Sequence, residues 1–277
     1  MQMSLGEALR LSLFGTSHGP RVGAILEGVP AGISIDYNNL ELLMNERRPG
    51  GRYASKRREP DHVEFLSGID NGITTGENIE ISIKNKDVRT KDYSFLPDHP
   101  RPGHQDMVMM KKTGGEADLR GGGMSSARLT APIVAASAII TPLIQQLGIN
   151  VNAHVCAIGI VDSKPIAECE PKWATDECKE IRCQDKKAAL EMIKIVEQHR
   201  MNLDSIGSKV ELKISGMPMG IGEPWFDGLE PYLARAMMSI PAARGVEFGR
   251  GFSVVQMKGS DHNDSWGGNK GNPQLIG

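Results

Sequence analysis

Residues 121–128 read Gly121-Gly122-Gly123-Met124-Ser125-Ser126-Ala127-Arg128 and lead straight into an apolar stretch that ends at Leu147. This junction constrains the fold more than any other part of the chain. Glycines in a row let the backbone take positive φ and approach a ligand or a neighbouring segment closely. Ser125 and Ser126 then supply hydroxyls suited to a helix N-cap. The apolar run is interrupted by Arg128, Thr130, Ser137 and Thr141 and by Pro132 and Pro142. A membrane span needs about twenty cleanly apolar residues, so the run predicts a buried core helix instead. A helix N-terminus carries free N–H groups and partial positive charge, and Arg128 adds a forked cation. The junction therefore predicts an anion site where the core helix begins.

The segments around this helix read mostly as strands. Residues 8–14 and 22–27 flank a Gly/Ser/His loop, 63–66 and 79–83 follow, and 151–161, 210–214 and 252–257 lie beyond the helix. Residues 79–83 and 210–214 alternate apolar and polar, which predicts strands with one wet face. Asp36 can cap a short helix carrying Leu40, Leu43 and Met44. Residues 187–197 and 229–238 have helical spacing. Residues 91–102 read as a loop, 165–185 as a polar surface insertion, and the Gly/Asn/Pro-rich 267–277 as a terminal loop. Alternating strands joined by short turns predict antiparallel sheets with packed helices, an α+β fold. One domain over 1–277, incomplete at its C-terminus, is expected.

The chain has 277 residues, 39% hydrophobic and 24% charged, with a net charge of -2. Nothing in that balance suggests a global nucleic-acid or membrane surface. The first thirteen residues contain no signal-peptide pattern. Cys156, Cys169, Cys178 and Cys183 form no C-x-x-C pair and match no zinc spacing, so they read as free thiols of a cytoplasmic protein, with a local disulfide left open. No carboxylate or histidine cluster implies a metal. There is no Walker lysine and no G-x-G-x-x-G after a strand.

Chemistry concentrates in a few loops. Gly15-Thr16-Ser17-His18-Gly19 holds a histidine among small residues, where it can act as acid or base near neutrality. Glu46-Arg47-Arg48-Pro49-Gly50-Gly51-Arg52-Tyr53 offers guanidiniums on a bent backbone, suited to phosphate and carboxylate. In Lys56-Arg57-Arg58-Glu59-Pro60-Asp61 the acids can neutralise the bases, which makes direct ligand contact less expected there. Arg101-Pro102-Gly103-His104-Gln105-Asp106 offers a second acid/base candidate. His62, His99, His154, His199 and His262 read as structural or surface residues. Residues 47–58 could also bind a nucleic-acid backbone, which would show a steep salt dependence.

In this order, the segments resemble the chorismate synthase family. Gly15-Thr16-Ser17-His18-Gly19 through Glu27-Gly28-Val29-Pro30 is similar to one signature, and Gly121-Gly122-Gly123 through Arg128 to a second. Arg47-Arg48-Pro49-Gly50, Arg57 through Asp61, Thr74-Thr75-Gly76, Lys91-Asp92-Tyr93-Ser94 and Arg101-Pro102-Gly103-His104 resemble family blocks. So do Gly220-Ile221-Gly222-Glu223-Pro224 and Ser239-Ile240-Pro241-Ala242. Members often carry Arg where this chain has Met124 and Glu where it has Leu129. An Arg-His-Asp-Pro signature and a flavin-cradling Lys-Pro-Thr block would lie past residue 277. The proposed proton-abstracting Asp and a further substrate Arg go with them.

The resemblance implies a β-α-β sandwich, a helical layer between antiparallel sheets, assembled as a homotetramer. It implies a carbon–oxygen lyase that eliminates phosphate from 5-enolpyruvylshikimate 3-phosphate in an anti-1,4 sense, giving chorismate. Reduced FMN is required without net redox change, and NADPH is a possible reductant. His18 and His104 would be catalytic. Arg48, Ser126 and Arg128 would bind substrate. Met124, Ser125, Ser126, Pro241 and Ala242 would bind FMN, and Arg47 and Arg52 an anion or NADP. Neither nucleic acid nor membrane is an expected partner. The alternative is a truncated, inactive member that binds phosphorylated ligands or partners.

Overall fold

The computed structural model describes residues 3–48, 51–53, 57–88, 90–170 and 173–276. Pro49, Gly50 and Lys56 of the basic segments lie outside the described residues. The chain divides into two compact units, one up to Met219 and one from Gly220.

The first unit is built on a five-stranded sheet of order β1-β2-β3-β7-β4. Its strands are β1 (Ser4–Leu5), β2 (Arg10–Gly15), β3 (Arg21–Glu27), β4 (Val63–Ser67) and β7 (Ile79–Lys84), all paired antiparallel. A two-stranded ladder, β5 (Ile69–Asp70) with β6 (Ile73–Thr74), sits between β4 and β7 in sequence. Side chains alternate between sheet faces, and Val22, Ala24, Leu26, Ile79, Ile81 and Ile83 line a buried one. On that face lie helices α1 (Tyr37–Arg47) and α3 (Thr130–Gln146). The Asp36 carboxylate caps α1 by accepting from the Asn39 N–H at 3.0 Å. The run Arg120–Gln146 is long and apolar enough to cross a membrane. Here Ala131, Ala135, Ala138 and Ile139 of α3 are buried in the core with β3 and β7.

Helix α2 (Asp106–Thr113) precedes the glycine junction. Beyond α3, a second antiparallel sheet has the order β10-β8-β9, from β8 (Asn150–Ile158), β9 (Val161–Asp162) and β10 (Ser208–Ser215). Helices α4 (Asp176–Ile181) and α5 (Lys186–Met201) form its core with Ile158, Cys178, Ile181, Cys183, Ala189 and Met192. The end of α1 reaches this half: the Arg182 guanidinium donates to the Glu46 carbonyl at 2.7 Å, and the Tyr53 hydroxyl to Glu197 at 3.0 Å. The helices thus lie between two antiparallel sheets, in an α+β fold.

The second unit carries α6 (Leu229–Met238), α7 (Gly259–His262) and a hairpin of β11 (Ser265–Asn269) with β12 (Asn272–Ile276). None of its described residues is buried.

Several local expectations need correction. Residues 252–257 are not a strand but a 3-10 turn, Gly251–Gln256, closed by bonds such as Met257 N–H to the Val254 carbonyl at 3.0 Å. The tail from 267 is not a loop, because Lys270-Gly271 turns it back into the hairpin. Residues 165–185 are not a surface insertion, because Cys178, Ile181 and Cys183 fill the second core. The polar face of β7 is not fully wet: Ser82 is buried, with the Arg21 guanidinium donating to its hydroxyl at 3.5 Å. The four cysteines are free thiols.

Candidate active site

The glycine junction shapes the site. Gly121, Gly122 and Gly123 take φ of 62°, 94° and 55°, the left-handed region that L-residues avoid. At Gly121 a Cβ would stand 2.4 Å from His18 Cε1 and 2.6 Å from its Nδ1, so only glycine lets the imidazole pack against this backbone. The Ser17 N–H donates to the Gly123 carbonyl at 3.1 Å, joining the two loops. The Ser126 side chain accepts from the Arg128 N–H at 3.3 Å, and a 3-10 turn, Ala127–Leu129, leads into α3.

These segments wall a cavity of about 510 Å³, within the range of small-molecule sites. His18, Arg47, Arg57, Ser126 and Arg128 line it together with Glu59, Asp87, Asp92 and Tyr93. His18 is 8% exposed and lies edge-on to Tyr93, ring centres 4.9 Å apart. The Ser17 hydroxyl donates to the Arg120 carbonyl at 2.9 Å, so the 3.2 Å contact to His18 Nδ1 places the ring proton on Nδ1. Nε2 is then the titrating nitrogen. Burial, then Arg57 and Arg120, hold the His18 pKa below 6.5, against an opposing pull from Asp118.

Two buried carboxylates organise the arginines. Asp61 is 1% exposed and accepts from Arg47 Nη1 at 2.5 Å and from Arg128 Nη1. Glu59 accepts from Arg57 Nη2 at 2.7 Å and from the Lys86 N–H at 2.8 Å. Burial pushes the Glu59 pKa up, but the Lys86 amide, Arg57 and Arg128 outweigh it and leave it lowered. Stripping one partner from such a buried pair typically costs about 3–5 kcal/mol. The self-neutralisation expected in 56–61 therefore holds for Arg57 with Glu59, whereas Asp61 serves Arg47 and Arg128. No motif marks Glu59 and Asp61 as site residues; their signal in the sequence is two acids within a basic run.

Residues 9–274 match the sequence profile of the family described as Chorismate synthase. Chorismate synthase of Aeropyrum pernix is 45% identical over 264 residues, 95% of this chain and 69% of that protein. The chain belongs to the chorismate synthase family. With membership comes the activity class, a carbon–oxygen lyase. Chorismate synthase of Korarchaeum cryptofilum is 41% identical, covering 94% of this chain and 72% of the relative. A crystal structure of chorismate synthase superposes with a TM-score of 0.75 at 26% identity, over 96% of this chain and 77% of the other.

The departures from the chorismate synthase pattern have local outcomes. Leu129 is 3% exposed and joins the main core. Met124 lines a second cavity of about 250 Å³ with Thr16, Met109 and Gly122. Other expected residues stand elsewhere. Arg48 is half-buried, its guanidinium donating to Asn45, with Nε buried and unpaired. Arg52 is exposed and paired with Glu197. Ser125 and His104 are exposed, and His104 lines neither cavity. Asp106, near His104 in sequence, is taken by Arg101 through contacts of 2.8 Å to each carboxylate oxygen. Pro241 and Ala242 are exposed residues of the second unit, with Ala242 at φ 70°.

Proposed function

We propose that the chain eliminates phosphate from 5-enolpyruvylshikimate 3-phosphate to give chorismate, with reduced FMN and no net redox change. The observation that carries this reading is a single cavity holding Arg47, Arg57 and Arg128 beside a titratable His18. The substrate bears a phosphate and two carboxylates. Burying such charges requires paired, hydrogen-bonded cations. Arg128 and Ser126 would grip it within the cavity, with Arg48 and Arg47 as further anion contacts.

The chain's residues fit a flavin. At Gly122 an added Cβ would meet only Ser126 Cβ, at 3.6 Å, so the turn presents bare backbone; Gly122 and Met124 line the smaller cavity and Ser126 the larger one. Met124, Ser125 and Ser126 would hold FMN, with Pro241 and Ala242 as contacts carried over from the family. Reduced FMN would supply electron density as the allylic C–O bond breaks and help take the ring proton. His18, neutral in the free protein, would hold a proton at Nε2 once a phosphate dianion lies nearby, and pass it to the departing group. His104 would act as a proton donor on the flavin side. Arg47 and Arg52 would serve NADPH if it is the reductant. A single domain acting as a cytoplasmic homotetramer goes with this reading.

The test is anaerobic turnover of 5-enolpyruvylshikimate 3-phosphate with photoreduced FMN, following chorismate and phosphate together. Equal release of both is expected. Substrate binding without turnover would favour an inactive, ligand-binding member; neither binding nor turnover would refute the reading.

A further inference from the structure

Asn85 directly follows β7 and does not line the cavity, yet it touches both halves of the site. Its Nδ2 donates to the Thr16 carbonyl at 3.0 Å and to the Gly19 carbonyl at 2.8 Å, the two residues that bracket Ser17 and His18. Its Oδ1 accepts from Arg128 Nε at 2.9 Å. The Asn85 backbone N–H donates to the Pro20 carbonyl at 3.0 Å, so the residue itself is fixed at the end of the same loop. Both amide hydrogens face carbonyls and the amide oxygen faces a guanidinium. Only one orientation of the side chain satisfies all three partners.

We propose that Asn85 is a positioning residue that sets the His18 loop and the Arg128 guanidinium at a fixed distance from each other. The inference rests on the roles given above to His18 and Arg128. A proton-handling nitrogen and an anion grip on separate elements must agree in position, because misplacement by about 1 Å can cost on the order of 100-fold in rate. One planar amide with donors on one side and an acceptor on the other provides that agreement. The next position along the chain, Lys86, donates its N–H to Glu59 at 2.8 Å, so this strand end also anchors the Arg57 partner.

The two functions of the amide are separable by substitution. Asn85→Asp keeps an acceptor for Arg128 but turns a carboxylate oxygen toward two carbonyl oxygens, releasing the His18 loop. Asn85→Ala removes both. The measurements are the dissociation constant for 5-enolpyruvylshikimate 3-phosphate by calorimetry without flavin, and kcat with reduced FMN. Asn85→Asp sets a carboxylate against Arg128, so it should weaken binding by up to about tenfold and lower kcat by a further factor of roughly 10 to 100. Asn85→Ala should lower kcat similarly and weaken binding by about tenfold. If Asn85→Ala does not fold, the split between kcat and affinity in Asn85→Asp decides alone. Lower thermal stability with both constants unchanged would overturn the inference, as would a loss of affinity in Asn85→Asp with kcat unchanged. A parent chain that neither binds nor converts the substrate would instead overturn the function on which the inference rests.

Discussion

A methyl group at Gly121 tests how tightly the His18 loop is seated. The Cβ of Gly121→Ala would stand 2.4 Å from His18 Cε1, 2.6 Å from Nδ1 and 2.8 Å from Ser17 Oγ, at a φ of +62°. Holding an L-residue in the left-handed region costs roughly 1–2 kcal/mol, and forcing extra volume into a packed site roughly 1–3 kcal/mol. The sum is about 2–5 kcal/mol. Gly122→Ala is the matched control: its φ is +94°, but the nearest atom, Ser126 Cβ, lies at an ordinary 3.6 Å. Only the backbone cost of roughly 1–2 kcal/mol applies there. Urea unfolding followed by circular dichroism, with m-values compared, should place Gly121→Ala below Gly122→Ala by about 1–3 kcal/mol. Turnover should fall further in Gly121→Ala, because the imidazole must move. Equal stabilities within about 0.5 kcal/mol would refute the close packing of His18 on the glycine turn.

Two further outcomes follow from the site. Because burial, Arg57 and Arg120 lower the His18 pKa from 6.5, its charged form predominates only below that value in the free protein. The pH profile of kcat/KM should therefore show an inflection below 6.5 that His18→Gln removes; an inflection above 6.5 would contradict the assignment. His104 is exposed, and its backbone N–H bond to the Arg101 carbonyl, at 3.3 Å, does not involve the ring. Replacing it by Ala should slow phosphate release while the melting temperature stays within about 2 °C; unchanged turnover would remove His104 from the mechanism.

What could be read from the sequence had a local cause. The Asp36 cap, the Ser126 cap and the glycine turn each depend on residues within a few positions of one another. The core helix was legible because one long apolar run, broken by polar residues and prolines, follows the serine caps directly. The arginines were visible as candidates, but not the order among them. That order comes from Asp61, which is 14 residues from Arg47 and 67 from Arg128, and from Asn85, which is 43 from Arg128. No local pattern encodes such pairings. Residues 252–257 misled because an apolar, β-branched run reads as a strand wherever it occurs, and among the described residues no strand pairs with it. Residues 165–185 misled because their polar residues outnumber the few side chains, Cys178, Ile181 and Cys183, that enter the core.

Glu59 and Asp61 have a consequence for how the site meets its medium. A wall of bare guanidiniums would gather mobile anions from solution, and its character would vary with whatever salt was present. Here the counter-charges are built in: Glu59 lines the cavity and Asp61 backs Arg47 and Arg128, with side chains 1% and 0% exposed. Dissolved ions screen buried pairs far less than surface ones. The arginines therefore keep their spacing in dilute and concentrated buffer alike. On the proposed function, an incoming ligand would be selected by how its charges match that spacing more than by how many it carries.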